Sequence, residues 1–300
     1  MNKVLCLGVA VVALSGTLAG CGGGGGGGTT AGTSTVSGVV ADGYLRNAEL
    51  FMDLNGNYQW DAGEPKTVTG QGGAYHLDVA PDLVGRYPIV VRAIAGQTVD
   101  EDHPSSPIAN SYILCAPSSN TAFISPMSTL IQQKLAGNPG MTMADAMIQL
   151  RNQLNLPVGT DMFGNYVSGS QSGQYAANYQ TMYQVATQMA DLMAQQAPLV
   201  MTGTGVNLSR YQAMMGQMNL YMPQIVQNAT NGLPITSPTM TTFCNQMATF
   251  LQNTGTGAGF GNYSAMFRNY TSRNSFWSNT GGMWQPGGMM GSGWGMTGMR

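Results

Sequence analysis

Residues 36–77 read VSGVVADGYLRNAELFMDLNGNYQWDAGEPKTVTGQGGAYHL, and their pattern decides the fold predicted for the first half of the chain. Apolar and polar residues alternate in short stretches such as 47–54, and Gly, Asn and Asp separate these stretches. Alternation with a period of two is typical of strands that bury one face, and the Gly and Asp clusters are typical of turns. An apolar, β-branched run follows at 87–96. These features favour an antiparallel β-sandwich over residues 35–116.

The second half of the chain has a helical pattern. Apolar residues recur at helical spacing over residues 121–254, and the stretch 207–227 is predicted as one helix. Helix-start signals stand at Ser125 before Pro126, and at Thr142 with an acid three residues later. The predicted fold class is therefore α+β, with an N-terminal antiparallel β-sandwich module followed by a small α-helical bundle.

The first twenty residues have the features of a signal peptide. Lys3 precedes the apolar run 4–14, which is too short to span a bilayer. The sequence LAGC at 18–21 resembles the lipobox of bacterial lipoproteins. This resemblance implies that Cys21 becomes the lipidated first residue after cleavage, and that several acyl chains anchor it. Gly22 in place of Asp after that cysteine implies an outer-membrane location by the sorting pattern of the same family.

Two glycine-rich segments flank the predicted folded region. Residues 22–28 are all Gly, and the stretch 21–34 is predicted to be a flexible tether because glycine has no side chain to bury. Residues 255–300 are rich in Gly, Asn, Ser and Met, which predicts a disordered low-complexity tail. An alternative is that the tail binds copper(I) through thioether sulfur, with Met283, Met289, Met290, Met296 and Met299 as the candidate ligands.

Composition and charge argue against two classes of function. The formal net charge is -2, and ten of the thirteen acids lie between Asp42 and Asp102, so no basic face is available for nucleic acid. His76 and His103 are the only histidines, and the chain has no serine-nucleophile or zinc-protease motif. The sequence predicts a protein that is not an enzyme and that has a structural or binding role, with a protein or surface partner of unknown identity.

The acidic stretch DLNGNYQWDAGE at 53–64 has the spacing of a calcium loop. Oxygen-bearing residues stand at positions 1, 3, 5, 7, 9 and 12, and alternate spacing lets several side chains converge on one hard cation. Tyr58 occupies the position where such loops carry Gly, and Pro65 follows directly, so the loop is predicted to join two strands. The alternative is a polar hairpin loop that binds no ion. The predicted calcium ligands are Asp53, Asn55, Asn57, Gln59, Asp61 and Glu64.

The stretches DGYLRNAELFMDLN at 42–55, GEP at 63–65 and the later Gly–Tyr–Leu spacing at 73–77 resemble prealbumin-like β-sandwich modules of bacterial surface proteins. These are the carboxypeptidase-regulatory-like, Cna-B-like and serine-aspartate-repeat B-type domains. The resemblance covers about residues 34–95. It implies a stalk, spacer or binding module and a calcium loop that joins two strands.

The remaining cysteines, a second acidic segment and the methionines complete the predictions. Cys115 and Cys244 are predicted to form a disulfide in an oxidising compartment, with two separate buried thiols as the alternative. Residues 99–104 are predicted to be a solvated loop, with an acid that completes an ion site as the alternative. The chain has 23 methionines, and those at helical spacing are predicted to pack in the core, with copper(I) binding as the alternative.

Overall fold

Strands make up the first half of the described chain. The computed structural model describes residues 32–254. The strands in residues 34–124 are β1 (Ser34–Val40), β2 (Leu45–Arg46), β3 (Glu49–Met52), β4 (Lys66–Val68), β5 (Ala74–Val79), β6 (Ile89–Ala93), β7 (Val99–Asp100), β8 (Tyr112–Ala116) and β9 (Phe123–Ile124).

These strands form several small sheets. The largest has the order β4-β3-β6-β8 and is antiparallel throughout. In a second sheet β1 pairs with β5 antiparallel and with β9 parallel. Strands β2 and β7 form a separate two-stranded antiparallel sheet. The α+β class is confirmed. The finer description as an antiparallel β-sandwich followed by a helical bundle stays a prediction, and it did not include the parallel β1–β9 pair.

Helices make up the second half. In the described chain they are α1 (Pro126–Gly137), α2 (Met143–Gln153), α3 (Tyr166–Gly169), α4 (Ala176–Val200), α5 (Leu208–Leu220), α6 (Met222–Thr230) and α7 (Pro238–Asn253), with the hairpin β10 (Met201–Thr202) and β11 (Gly205–Val206) after α4. Both predicted helix starts are confirmed as reciprocal caps. The Ser125 hydroxyl accepts from the Ser128 backbone N–H, and the Thr142 hydroxyl accepts from that of Asp145.

The stretch predicted as one helix over 207–227 is two helices. Asn207 caps α5 as its side chain accepts a hydrogen bond from the Arg210 backbone N–H. The helix stops at Leu220, and α6 begins at Met222 with Pro223 in its first turn. Proline has no backbone N–H and is favoured in the first turn of a helix, where that donor has no partner, so Pro223 starts a new helix rather than continuing the first.

The hydrophobic core is continuous from the sheets to the helices. Helix α4 packs on α1, α5, α6, α7 and β8, and the buried side chains of strands and helices form one cluster. The described residues from Thr33 onward belong to one compact unit. The core therefore crosses the boundary predicted between residues 116 and 121. The methionines at helical spacing are buried in it, as predicted: Met182, Met189, Met193, Met214, Met218 and Met222.

A buried lysine lies where three helices meet, which the sequence pattern did not predict. Lys134 of α1 donates from Nζ to Asn219 Oδ1 of α5 at 2.6 Å, and Gln149 Oε1 of α2 lies 3.5 Å away. Gln153 of α2 also donates to Asn219 Oδ1, at 2.9 Å. Burial lowers the pKa of Lys134 to about 7 because the charged ammonium is removed from water.

Candidate ion-binding loop

The acidic loop, residues 53–64, joins two neighbouring strands of the largest sheet. Strand β3 precedes it and β4 follows it, and the two are antiparallel partners with Phe51 opposite Lys66. Below the loop, the Met52 backbone N–H donates to the Pro65 carbonyl at 3.0 Å. The predicted strand–loop–strand arrangement is confirmed.

The first carboxylate of the loop binds the loop's own backbone. Asp53 is only 1% exposed. Its Oδ1 accepts from the N–H of Gly56 at 2.7 Å and of Asn57 at 3.2 Å, and its Oδ2 accepts from the N–H of Tyr58 at 3.0 Å. Asp53 therefore fixes the course of the backbone up to Tyr58, since three successive donors converge on one side chain.

Glu64, at the other end of the loop, also accepts hydrogen bonds from the loop's own backbone. Its Oε1 accepts from the Leu54 N–H at 2.8 Å, and its Oε2 accepts from the Asp61 N–H at 3.0 Å. Its carbonyl accepts from the Trp60 indole N–H at 3.0 Å. The two oxygens of Glu64, which the prediction gave to a cation, thus connect the start of the loop to its end.

Three predicted ligands meet at the exposed tip. Asp61 Oδ2 accepts from Nδ2 of Asn55 and from Nδ2 of Asn57, each at 2.7 Å. Asn55 Oδ1 accepts from the Asn57 backbone N–H at 3.0 Å, and Asn57 Oδ1 accepts from the Gln59 backbone N–H at 2.7 Å. The Gln59 side chain is directed elsewhere, with Nε2 3.4 Å from the Val206 carbonyl of β11.

The donor set has the chemistry of a calcium site but is arranged for hydrogen bonds. All the side-chain acceptors are oxygens, which hard cations prefer. Asn55 and Asn57 present amide nitrogens to Asp61, so a cation there requires both amides to turn. Within residues 32–254, His, Cys, Asp and Glu side chains form no group of three or more that could hold a metal ion. At this tip, the side chains that converge are those of Asp61, Asn55 and Asn57.

Tyr58 is the residue of the loop that sequence reasoning did not assign. Its backbone is left-handed, with φ 61, yet its side chain is only 6% exposed. The hydroxyl accepts from Gln133 Nε2 of α1 at 2.7 Å, and the ring centroid lies 5.0 Å from that of Tyr211 of α5. Left-handed backbone is costly for a bulky residue. A tyrosine at the position where such loops carry glycine was therefore the sequence signal that this side chain has a role of its own.

The predicted disulfide is not present. Cys115 of β8 and Cys244 of α7 are both free thiols, and both are buried. The Cys115 sulfur lies 3.9 Å from the Tyr211 hydroxyl and 3.8 Å from Gln133 Nε2. Burial raises the pKa of Cys115 to about 12, which keeps it as an inert thiol. Two separate buried thiols, the alternative derived from the sequence, describe the structure.

Several predicted sites lie outside the described residues. They are the signal peptide, Cys21, most of the tether, and the candidate copper ligands of the tail, Met283, Met289, Met290, Met296 and Met299. Within residues 32–254, the structure contains no helix of the length and apolar character needed to cross a membrane.

Comparisons of the chain with protein-family models, with curated proteins and with solved structures find no match. The prealbumin-like resemblance is therefore carried only by the residues that suggested it.

Proposed function

We propose that this protein is a lipid-anchored component of the outer membrane or cell surface with a structural or binding role rather than a catalytic one. The proposal includes the finer fold prediction, a prealbumin-like β-module followed by a helical bundle. The observation that carries the structural role is Tyr58, which extends from the acidic loop to α1 and α5. The Asp53 and Glu64 carboxylates of that loop accept hydrogen bonds from its own backbone and so fix its conformation, which suits a module with a structural role.

The anchor is supported by the sequence LAGC at 18–21 and by the glycine run that follows it. A lipidated Cys21 with several acyl chains gives stable membrane attachment, and a glycine tether lets the folded part stand away from the bilayer.

Replacing the lipidated cysteine tests the anchor. In a Gram-negative host fed an alkyne-labelled palmitate, the wild-type protein is expected to carry label and to sediment with outer membranes. Cys21→Ser is expected to lose both, because serine offers no sulfur for acylation. Cys6→Ser is the matched control, since Cys6 leaves with the predicted signal peptide and its loss should change neither result. Label that persists in Cys21→Ser would contradict the anchor.

We further propose that the acidic loop binds calcium weakly, through Asp61 with Asn55 and Asn57 at the exposed tip. The support is the oxygen-rich donor set and the convergence of these three side chains. Asp53 and Glu64 would hold the surrounding backbone, because their carboxylates already accept backbone N–H groups. Bound calcium would supply added rigidity and no reaction.

Calcium is expected to raise the melting temperature modestly. With a dissociation constant of ~0.3 mM, typical of extracellular modules, 5 mM calcium stabilises the folded state by about 1.7 kcal/mol and raises the melting temperature by about 5 °C. Asp61→Asn should lose this calcium-dependent shift. Asp82→Asn, at an exposed acid outside the loop, should keep it. Equal melting temperatures of the wild-type protein in 5 mM calcium and in chelator would refute calcium binding at the millimolar level.

A further inference from the structure

A buried carboxyl lies in the turn between β1 and β2. Asp42 is only 6% exposed, and its Oδ2 accepts a hydrogen bond from the hydroxyl of Tyr112 on β8. Within residues 32–254 its other oxygen, Oδ1, has no hydrogen-bond donor. A buried carboxylate oxygen without a donor is strongly disfavoured, whereas a protonated carboxyl carries no charge into the interior.

Two further acids crowd the same turn. Asp100 ends β7 and Asp102 follows it, and Asp100 Oδ1 accepts from the Asp102 N–H at 3.0 Å. A Cβ atom at Gly43 would overlap both Asp100 Oδ1 and Asp102 Oδ2, so both carboxylates lie directly against the backbone beside Asp42. Sequence reasoning placed these two acids in a solvated loop. Asp102 and the residues after it are exposed, as predicted, but the structure also brings both acids to the turn that carries Asp42. Asp42, Asp100 and Asp102 are called the Asp42 group.

The groups that face the Asp42 group come from four directions. Tyr112 reaches it from β8 and Tyr166 from α3, where the Tyr166 hydroxyl donates to the Ala41 carbonyl at 2.8 Å. From α4, the Tyr183 hydroxyl donates to Asp102 Oδ2, and Asp191 lies within electrostatic range of Asp100. The loop after β7 adds His103, whose Nδ1 is 3.1 Å from Asp100 Oδ2.

The charge of the Asp42 group is poorly compensated. In the described chain, the exposed His103 is the only basic side chain in ion-pair distance of any of the three acids. Burial first, and the neighbouring Asp100 second, raise the pKa of Asp42 to about 7. The folded state thus holds a proton across a pH range in which an unfolded aspartate, whose ordinary pKa is 3.8, has lost it.

We propose that the Asp42 group is a proton-binding site at the junction of the strands with helices α3 and α4, and that release of the proton weakens this junction. The tyrosines of β8, α3 and α4 converge on the turn that carries Asp42 and on Asp102. Repulsion among three ionised carboxylates acts directly on these contacts. The folded state is therefore more stable in mildly acidic surroundings than in alkaline ones.

The direction of the pH dependence follows from linkage. The pKa of Asp42 is raised in the folded state, so its contribution is fully present below 3.8 and is lost as the pH rises through about 7. Asp42→Asn carries no ionisable group and can still accept from Tyr112. Its stability relative to wild type should therefore increase with pH.

Melting curves between pH 5 and pH 9 test the proposal. The wild-type melting temperature is expected to fall relative to Asp42→Asn by about 8 °C between pH 5 and about pH 7, and the difference should level off above that pH. Asp82→Asn should follow the wild-type curve. Every variant keeps Lys134, so its titration cancels in the difference. Wild-type and Asp42→Asn curves that run parallel would overturn the proposal.

A second variant decides the matter if Asp42→Asn fails to fold. Asp100→Asn removes the like charge that most raises the pKa of Asp42, so the pH at which the melting temperature stops falling should move down by about one unit. Hydrogen exchange at residues 41–44 and 166–169 should also slow at pH 8 in this variant. If the pH at which the fall ends does not move and hydrogen exchange is unchanged, the proposal is overturned independently.

Discussion

Replacing Tyr58 by alanine is expected to lower the free energy of unfolding by about 4 kcal/mol, the cost of removing a large aromatic side chain from a packed interior. The ring lies beside Tyr211, and the hydroxyl accepts a hydrogen bond from Gln133. Both partners belong to helices, so the substitution leaves a cavity where the loop meets α1 and α5. Urea unfolding followed by circular dichroism measures the effect.

Two matched variants separate the causes. Tyr58→Phe keeps the ring and removes the hydrogen bond from Gln133, and is expected to lose about 1 kcal/mol. Trp60→Ala removes a larger aromatic from the same loop, but Trp60 is 38% exposed, so its loss should be well below that of Tyr58→Ala. If Trp60→Ala and Tyr58→Ala proved equally destabilising, Tyr58 would not be the residue that connects the loop to the helices.

Replacing Asp53 by alanine is expected to cost about 3 kcal/mol, because a buried carboxylate is removed and three backbone donors lose their acceptor at once. The donors are the N–H groups of residues 56, 57 and 58. Asp53→Asn keeps one acceptor oxygen and should have an intermediate effect. Asp78→Ala is the control, since Asp78 is exposed and accepts a single side-chain bond from Thr35.

The two substitutions should not be additive. Asp53 holds the backbone that places Tyr58, so the double variant Asp53→Ala/Tyr58→Ala should lose less stability than the sum of the single losses. Simple additivity would mean that the carboxylate and the ring act independently.

Local signals in the sequence were sufficient for the helix starts and for the strands around the acidic loop. A cap such as Thr142 with Asp145 is a set of hydrogen bonds between residues three apart, so its geometry is already present in the sequence. The same holds for the strand–loop–strand prediction, because the flanks of residues 53–64 alternate locally.

The contacts that give the loop its role could not be predicted in this way. Tyr58 meets Gln133, 75 positions later in the chain, and nothing near Tyr58 in the sequence indicates that partner. Asp42 meets Asp100 and Asp102 through pairing of β2 with β7, whereas the acids alone suggest a solvated loop. The disulfide prediction was wrong for the same reason, since packing rather than compartment decides whether Cys115 and Cys244 meet.

Hydrogen exchange in Asp53→Ala tests the central claim most directly, namely that the internal bonds of the acidic loop stabilise its contact with the helices. Compared with wild type, exchange should accelerate in residues 54–59 and, through Tyr58, in α1 and α5. Met247→Ala, a cavity variant in α7, which packs on α4 and α5, serves as a destabilised reference that should not affect α1 selectively. Faster exchange confined to residues 54–59, with α1 and α5 as protected as in wild type, would contradict the claim.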